Sequence, residues 1–134
     1  MSDTTPTAVA TTYFAALGRG DIPAVMAQFA DDVVWHQPGA NRFSGQHHGT
    51  AGVGALLGGM MEASQGSFQL AVTGTPMVNG ELVAVAIRFH ASRGDAAMDM
   101  AGVDLLTVRD GRIVEVRLFS EDGAAEDAFW GAAA

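Results

Sequence analysis

Apolar residues recur at Val9, Tyr13 and Leu17, one helical turn apart, so 6–18 reads as an amphipathic helix with Pro6 in its first turn. Gly18 and Gly20 end it, and Asp21 is placed to cap a second helix over 22–30, with Ile22, Val25, Met26 and Phe29 on one stripe. The run VVWHQ at 33–37 then reads as a strand that stops at Pro38-Gly39. A polar loop, ANRFSGQHHG, follows. Thr50 is a candidate cap for a third helix over 51–64, whose inward stripe is Val53, Leu56, Leu57, Met60 and Met61. Glycines 52, 54, 58 and 59 weaken that helix by roughly 1 kcal/mol each relative to Ala, and their thinness suits close packing against a curved sheet.

From residue 67 the period changes from helical to alternating. Strands are predicted over 67–79, 81–92, 96–109 and 112–120, separated by Asn79-Gly80, Arg93-Gly94-Asp95 and Asp110-Gly111. A last short helix follows Ser120 in EDGAAEDAFWG. Helices grouped ahead of an antiparallel meander indicate an α+β domain, and 134 residues suffice for one domain spanning 1–134.

Composition narrows the function classes. Apolar residues make up 49% of the chain, enough for a core. A formal charge of -8 disfavours nucleic acid and anionic membranes as partners. No apolar run is long enough to span a membrane, and the N-terminus lacks the pattern of a signal peptide. The absence of cysteine removes thiolate chemistry and fits a cytoplasmic location. Every basic residue is Arg, so Schiff-base catalysis has no side-chain amine. No G-x-S-x-G or phosphate-cradling glycine loop occurs. His36, His47 and His48 match no metal-ligand spacing, and neither a metal nor another cofactor is expected.

Several residues are candidates for chemistry. Asp104 stands mid-strand in GVDLLTV, where a buried carboxyl needs a partner or a proton. Two registers are open. If Asp110-Gly111 alone turns the hairpin, Asp104 falls opposite Arg117. If Arg109 joins the turn, Asp104 faces Val116 and the interior, which the alternation Val114, Val116, Leu118 favours. Arg88 and His90 share one strand face with Ala84 and Ala86, a face that is either solvent or a pocket wall with room for a ligand. His90 would suit a general base. Trp35 shares its face with Gln37, which sends His36 to the other side unless a bulge re-aims it. Tyr13, if buried, needs a partner for its hydroxyl. Met60, Met61, Met98 and Met100 are core or an adaptable pocket lining.

Certain segments resemble a known group. Gly20-Asp21-Ile22, Phe29-Ala30-Asp31-Asp32-Val33, Asp110-Gly111-Arg112-Ile113, and WHQPG with the terminal DAFW are similar to the ketosteroid isomerase and SnoaL-like polyketide cyclase group of the NTF2-like cone fold. The resemblance covers nearly the whole chain. It implies a curved, mostly antiparallel sheet wrapped around the helices, a blind apolar pocket and no cofactor. In the isomerases a strand-end carboxylate moves a proton beside a carbonyl, while a Tyr and a protonated Asp hold the oxyanion. Those roles map onto Tyr13 and Asp104 here. The base position carries Gln37, and an amide takes no proton at neutral pH. The fold's epoxide hydrolases use an Asp, Arg, Asp set, for which His90 and Leu118 are the wrong residues.

The resulting expectation is acid/base catalysis, by intramolecular cyclisation or double-bond isomerisation, on a small apolar carbonyl compound. Asp104, His90, Tyr13 and His36 are the catalytic candidates. Trp35, Gln37, Arg88, Met60, Met100, Val116 and Leu118 are the substrate-binding ones. The alternative is a non-catalytic ligand-binding or dimerising protein that has lost its base. A homodimer is expected through an outer sheet face bearing Val103, Leu105, Ile113 and Phe119.

Overall fold

The computed structural model describes residues 4–132. Helix α1 (Pro6–Gly18) buries Val9, Ala10, Tyr13, Phe14 and Ala16, and the Thr5 hydroxyl caps it by accepting from the Ala8 amide at 3.3 Å. Helix α2 (Ile22–Met26) is a single turn capped by Asp21, much shorter than the predicted 22–30. Phe29 is claimed instead by strand β1 (Phe29–Gln37), where it aligns with Ile113. Five residues cannot hold a helix alone, so the sheet wins.

The predicted loop contains a short edge strand, β2 (Gly45–His48), paired antiparallel with β1. Helix α3 (Gly49–Ala63) begins one residue before Thr50, with no side-chain cap. Two of its thin positions face side chains rather than the sheet. A Cβ on Gly59 would sit 3.1 Å from the Phe43 ring, and one on Gly54 3.6 Å from Met26. The predicted strand 67–79 is broken at Thr73–Pro76 into β3 (Gln69–Val72) and β4 (Met77–Asn79), since Pro76 has no N–H to give a ladder. Strands β5 (Leu82–Arg93), β6 (Ala96–Arg109) and β7 (Arg112–Ser120) form the long meander. Helix α4 (Gly123–Trp130) closes the chain, capped by Asp122.

The sheet order is β2-β1-β7-β6-β5-β3, with β4 also on β5. All pairs are antiparallel except β1 with β7, which is parallel. Its concave face wraps α1 and α3 around a core that includes Tyr13, Phe29, Val33, Leu106 and Val116. Gly102 sits mid-β6, where a Cβ would meet the Phe119 carbonyl oxygen at 2.7 Å, so only glycine allows that close approach.

The last hairpin settles the register of Asp104 by a third route. Asp110 (φ 52°) and Gly111 (φ 77°) form a two-residue turn with Arg109 opposite Arg112. A bulge then inserts Val114, because Thr107 aligns with Glu115 while Val108 aligns with Ile113. Asp104 therefore faces Leu118, not Arg117 or Val116, and points inward. The same bulge turns Ile113 into the core, so it is absent from the outer face where it was expected.

Candidate functional site

Strand alternation brings Trp35 and Gln37 from β1, Ile87 and Phe89 from β5, Asp104 from β6 and Leu118 from β7 to one concave surface. With Tyr13, Met60 and Met61 from the helices, Phe68, and Trp130 of α4, they enclose a cavity of about 100 Å³. That is roughly seven to ten times the space one water needs. Leu17, Gly20, Ile22 and Leu70 also border it. Among the described residues no cationic side chain lines the cavity, and its titratable groups are Tyr13, Asp104 and Glu126.

Asp104 is 3% exposed, and its carboxyl has no hydrogen-bond partner among the described residues. Burial pushes this carboxyl up to about 8, and the charge of the facing Glu126 adds to the shift. At neutral pH it is therefore an O–H donor. Tyr13 is fully buried, with its ring edge-on to Phe14 and Phe29, and its hydroxyl is also without a partner. Burial first, then the Asp104 charge, raises the phenol's pKa well above its ordinary value, so it too keeps its proton. Two O–H groups without a partner among the described residues thus border one largely apolar cavity. Such groups are costly unless something else satisfies them. Trp35 Nε1 donates to Gln37 Oε1 at 3.0 Å, which holds the Gln37 amide at the cavity wall.

Other expected site residues lie elsewhere. His90 and Arg88 are exposed on the outer face, and Arg88 Nε donates to Asp99 Oδ1 at 2.8 Å. The opposite face of β5, with Ile87 and Phe89, is the cavity wall, so of the two readings open for the Arg88 and His90 face the solvent one holds. His36 is outside as well, with its Nε2 2.9 Å from Glu115 Oε2, beside Arg117. Val116 is buried opposite Leu106 and Met100 opposite Phe89, both in the core rather than at the cavity. His47 Nε2 contacts the Phe43 carbonyl at 2.7 Å, and among the described residues no cluster of three potential metal ligands forms.

Glu126 was not singled out from the sequence, although Glu126 and Trp130 stand four apart and so share a helix face. It is 5% exposed, accepting from Ser120 Oγ at 2.6 Å and from Trp130 Nε1 at 3.3 Å. Helix α4 is strapped across the cavity. Asp127 Oδ1 accepts from the Ala40 amide (3.0 Å) and from Asn41 Nδ2 (2.9 Å), Arg93 Nε donates to the Phe129 carbonyl (2.6 Å), and the Arg42 amide donates to the Gly131 carbonyl (2.9 Å). The DAFW segment is thus tied to residues 40–42, which directly follow WHQPG, and to Arg93.

Comparison with known proteins agrees with this architecture. The SnoaL-like domain model matches residues 10–116, and the chain belongs to that family, within the NTF2-like superfamily. An uncharacterised protein of Mycobacterium tuberculosis (strain ATCC 25618 / H37Rv) is 34% identical over 118 residues, 87% of this chain and 89% of that one. A crystal structure of a protein of unknown function with a cystatin-like fold, from Xanthomonas campestris, superposes with a TM-score of 0.91 at 44% identity, covering 95% of this chain and 98% of the other. An NTF2-like protein from Burkholderia xenovorans LB400 gives a TM-score of 0.73 at 25% identity, covering 98% and 99%.

Proposed function

We propose that this domain performs cofactor-free acid/base catalysis on a small, uncharged, largely apolar carbonyl compound of polyketide-like or steroid-like type. Double-bond isomerisation or intramolecular cyclisation is the concrete form. The observation that carries the reading is the pair of protonated, unpartnered oxygens, Asp104 and Tyr13, in one apolar cavity. A carbonyl oxygen placed between them would receive two hydrogen bonds. Those bonds would strengthen as the oxygen becomes an oxyanion, which lowers the barrier. Trp35 and Gln37 would orient the ligand, while Met60 and Leu118 would pack against it. The outer sheet face, with Val103 40% and Phe119 54% exposed, would pair with a second copy of the chain.

The test is turnover of a panel of uncharged enones and polyketone precursors, followed by mass spectrometry and NMR. Asp104→Ala, which removes the donor, is expected to lower turnover by about 10²–10³-fold with the fold intact, as loss of an oxyanion donor does elsewhere. Tight binding across the panel with no turnover would favour a ligand-binding protein instead. The amide at position 37, where the related isomerases carry their base, is the residue that favours that second reading.

A further inference from the structure

Two proton donors do not make an enolisation catalyst, because something must take the proton. The residues expected to do so are not available: His90 and His36 are on the outer face, and Gln37 is an amide. We propose that Glu126 is the general base of this cavity, and that the substrate is an uncharged ketone with an acidic C–H beside the carbonyl. This rests on the catalytic reading above.

The observations converge on one carboxylate. Of the titratable side chains lining the cavity, Asp104 and Tyr13 already hold protons, which leaves Glu126 to accept one. Glu126 and Asp104 differ in their partners. Two donors, Ser120 Oγ and Trp130 Nε1, point at the Glu126 oxygens, one to each, whereas among the described residues none points at Asp104. Hydrogen-bond donation stabilises a carboxylate, and its absence favours the neutral acid. Each Glu126 oxygen keeps a lone pair beyond the one its donor uses. The carboxylate is also anchored, since α4 is tied at Asp127, Phe129 and Gly131 to the rest of the fold. Among the described residues no cation lines the cavity to quench its charge or to welcome an anionic substrate.

The step balances without a further reactant. The C–H bond beside the carbonyl breaks and its proton goes to a Glu126 oxygen. The electron pair left behind forms the C=C bond of an enolate, whose oxygen is held by the O–H groups of Asp104 and Tyr13. Where the ketone carries a β,γ double bond the enolate is a conjugated dienolate, and Glu126 returns the proton to its γ carbon, which moves the double bond into conjugation with the carbonyl. Alternatively the enolate carbon bonds to a second carbonyl carbon of the same molecule, and the resulting alkoxide takes the proton.

The experiment is hydrogen–deuterium exchange in D₂O, followed by ¹H NMR, at the carbons beside the carbonyl of cyclohexanone, 2-indanone and 2-tetralone. Entry of each ketone is read from fluorescence quenching of Trp35 and Trp130, which line the cavity. The wild-type chain is expected to speed exchange over buffer, and Glu126→Gln to lose at least about 100-fold of that gain at unchanged affinity. His90→Ala is expected to leave it unchanged. In Glu126→Ala, added formate or acetate is expected to restore exchange, more strongly for the more basic anion, which a purely structural role would not produce. If Glu126→Gln exchanges at the wild-type rate, the base assignment falls while the catalytic reading stands. If the wild-type chain binds the ketones without speeding exchange, the catalytic reading falls and takes the base with it. No quenching across the series overturns the substrate class. Should Glu126→Gln not fold, Glu126→Asp carries the test: at least a 10-fold loss is expected, and an unchanged rate overturns the proposal.

Discussion

Asp99 and Asp104 lie five residues apart on the same strand and face opposite sides of the sheet. Asp99 has a side chain 63% exposed and is paired with Arg88, whereas Asp104 is 3% exposed, unpaired, and pushed up to about 8 by burial and Glu126. The outer face handles charge in the ordinary way, with Arg88–Asp99 and the His36–Glu115–Arg117 group set among water. Exposed pairs of that kind contribute little to stability. The concave face holds a carboxylic acid and a phenol that have no hydrogen-bond partner among the described residues. The contrast shows that residue type alone does not carry the chemistry. Parity along a strand decides whether an aspartate is a solvated ion or a neutral acid.

The sharpest way to break the contrast is to shift the parity. Deleting Leu105, which stands between Asp104 and the Asp110-Gly111 turn, keeps Leu106 opposite Val116 and would set Asp104 opposite Arg117. Asp104 would have to turn out and the first part of β6 would change sides. We expect destabilisation by about 3–5 kcal/mol in a urea melt, against about 1 kcal/mol or less for Leu105→Ala, which keeps the register.

The next largest effect is on the pH dependence of stability. The Asp104 carboxyl loses its proton near its ordinary value in the unfolded chain but only near pH 8 in the folded one. Between about pH 4 and pH 8 the folded state therefore binds more protons, so this group's contribution becomes less favourable as pH rises, by up to about 1.4 kcal/mol per unit. Asp104→Asn is expected to be more stable than wild type at pH 7, by about 2–4 kcal/mol, with the gap closing as pH falls to 4. Thermal melts across that range check it, and a pH-independent gap would contradict the buried acid.

Tyr13→Phe sharpens the same point. Removing a buried hydroxyl that has no partner is expected to stabilise the protein by about 1 kcal/mol while lowering turnover. A loss of stability would mean that the hydroxyl is satisfied after all. At the small end, Asp99→Asn should change stability by less than about 0.5 kcal/mol and leave turnover unchanged.

Much of this was legible in the chain. The 3.6-residue stripe of α1, the alternation of β5–β7 and the glycine turns placed most elements, and the WHQPG and DAFW segments pointed to the family. Trp35 with Gln37 on one face, and His36 on the other, followed from alternation alone. Asp104 stood out because a carboxylate between apolar neighbours needs an explanation. The misplaced residues have a common cause. His90 and Arg88 were opposite to Ile87 and Phe89 as expected, yet a strand does not say which of its faces is concave. Glu126 looked like one more acid in a polar helix, since nothing local shows that α4 folds back under Phe43 and Phe68.

Local sequence thus determined which residues share a face, because side chains alternate along a strand and return every turn of a helix whatever surrounds them. Only the tertiary structure decided which face became the cavity. That choice depends on the parallel docking of β1 on β7, the Val114 bulge and the strapping of α4 by Asp127 and Arg93. These join residues far apart in the chain, and their energies do not register in any short window.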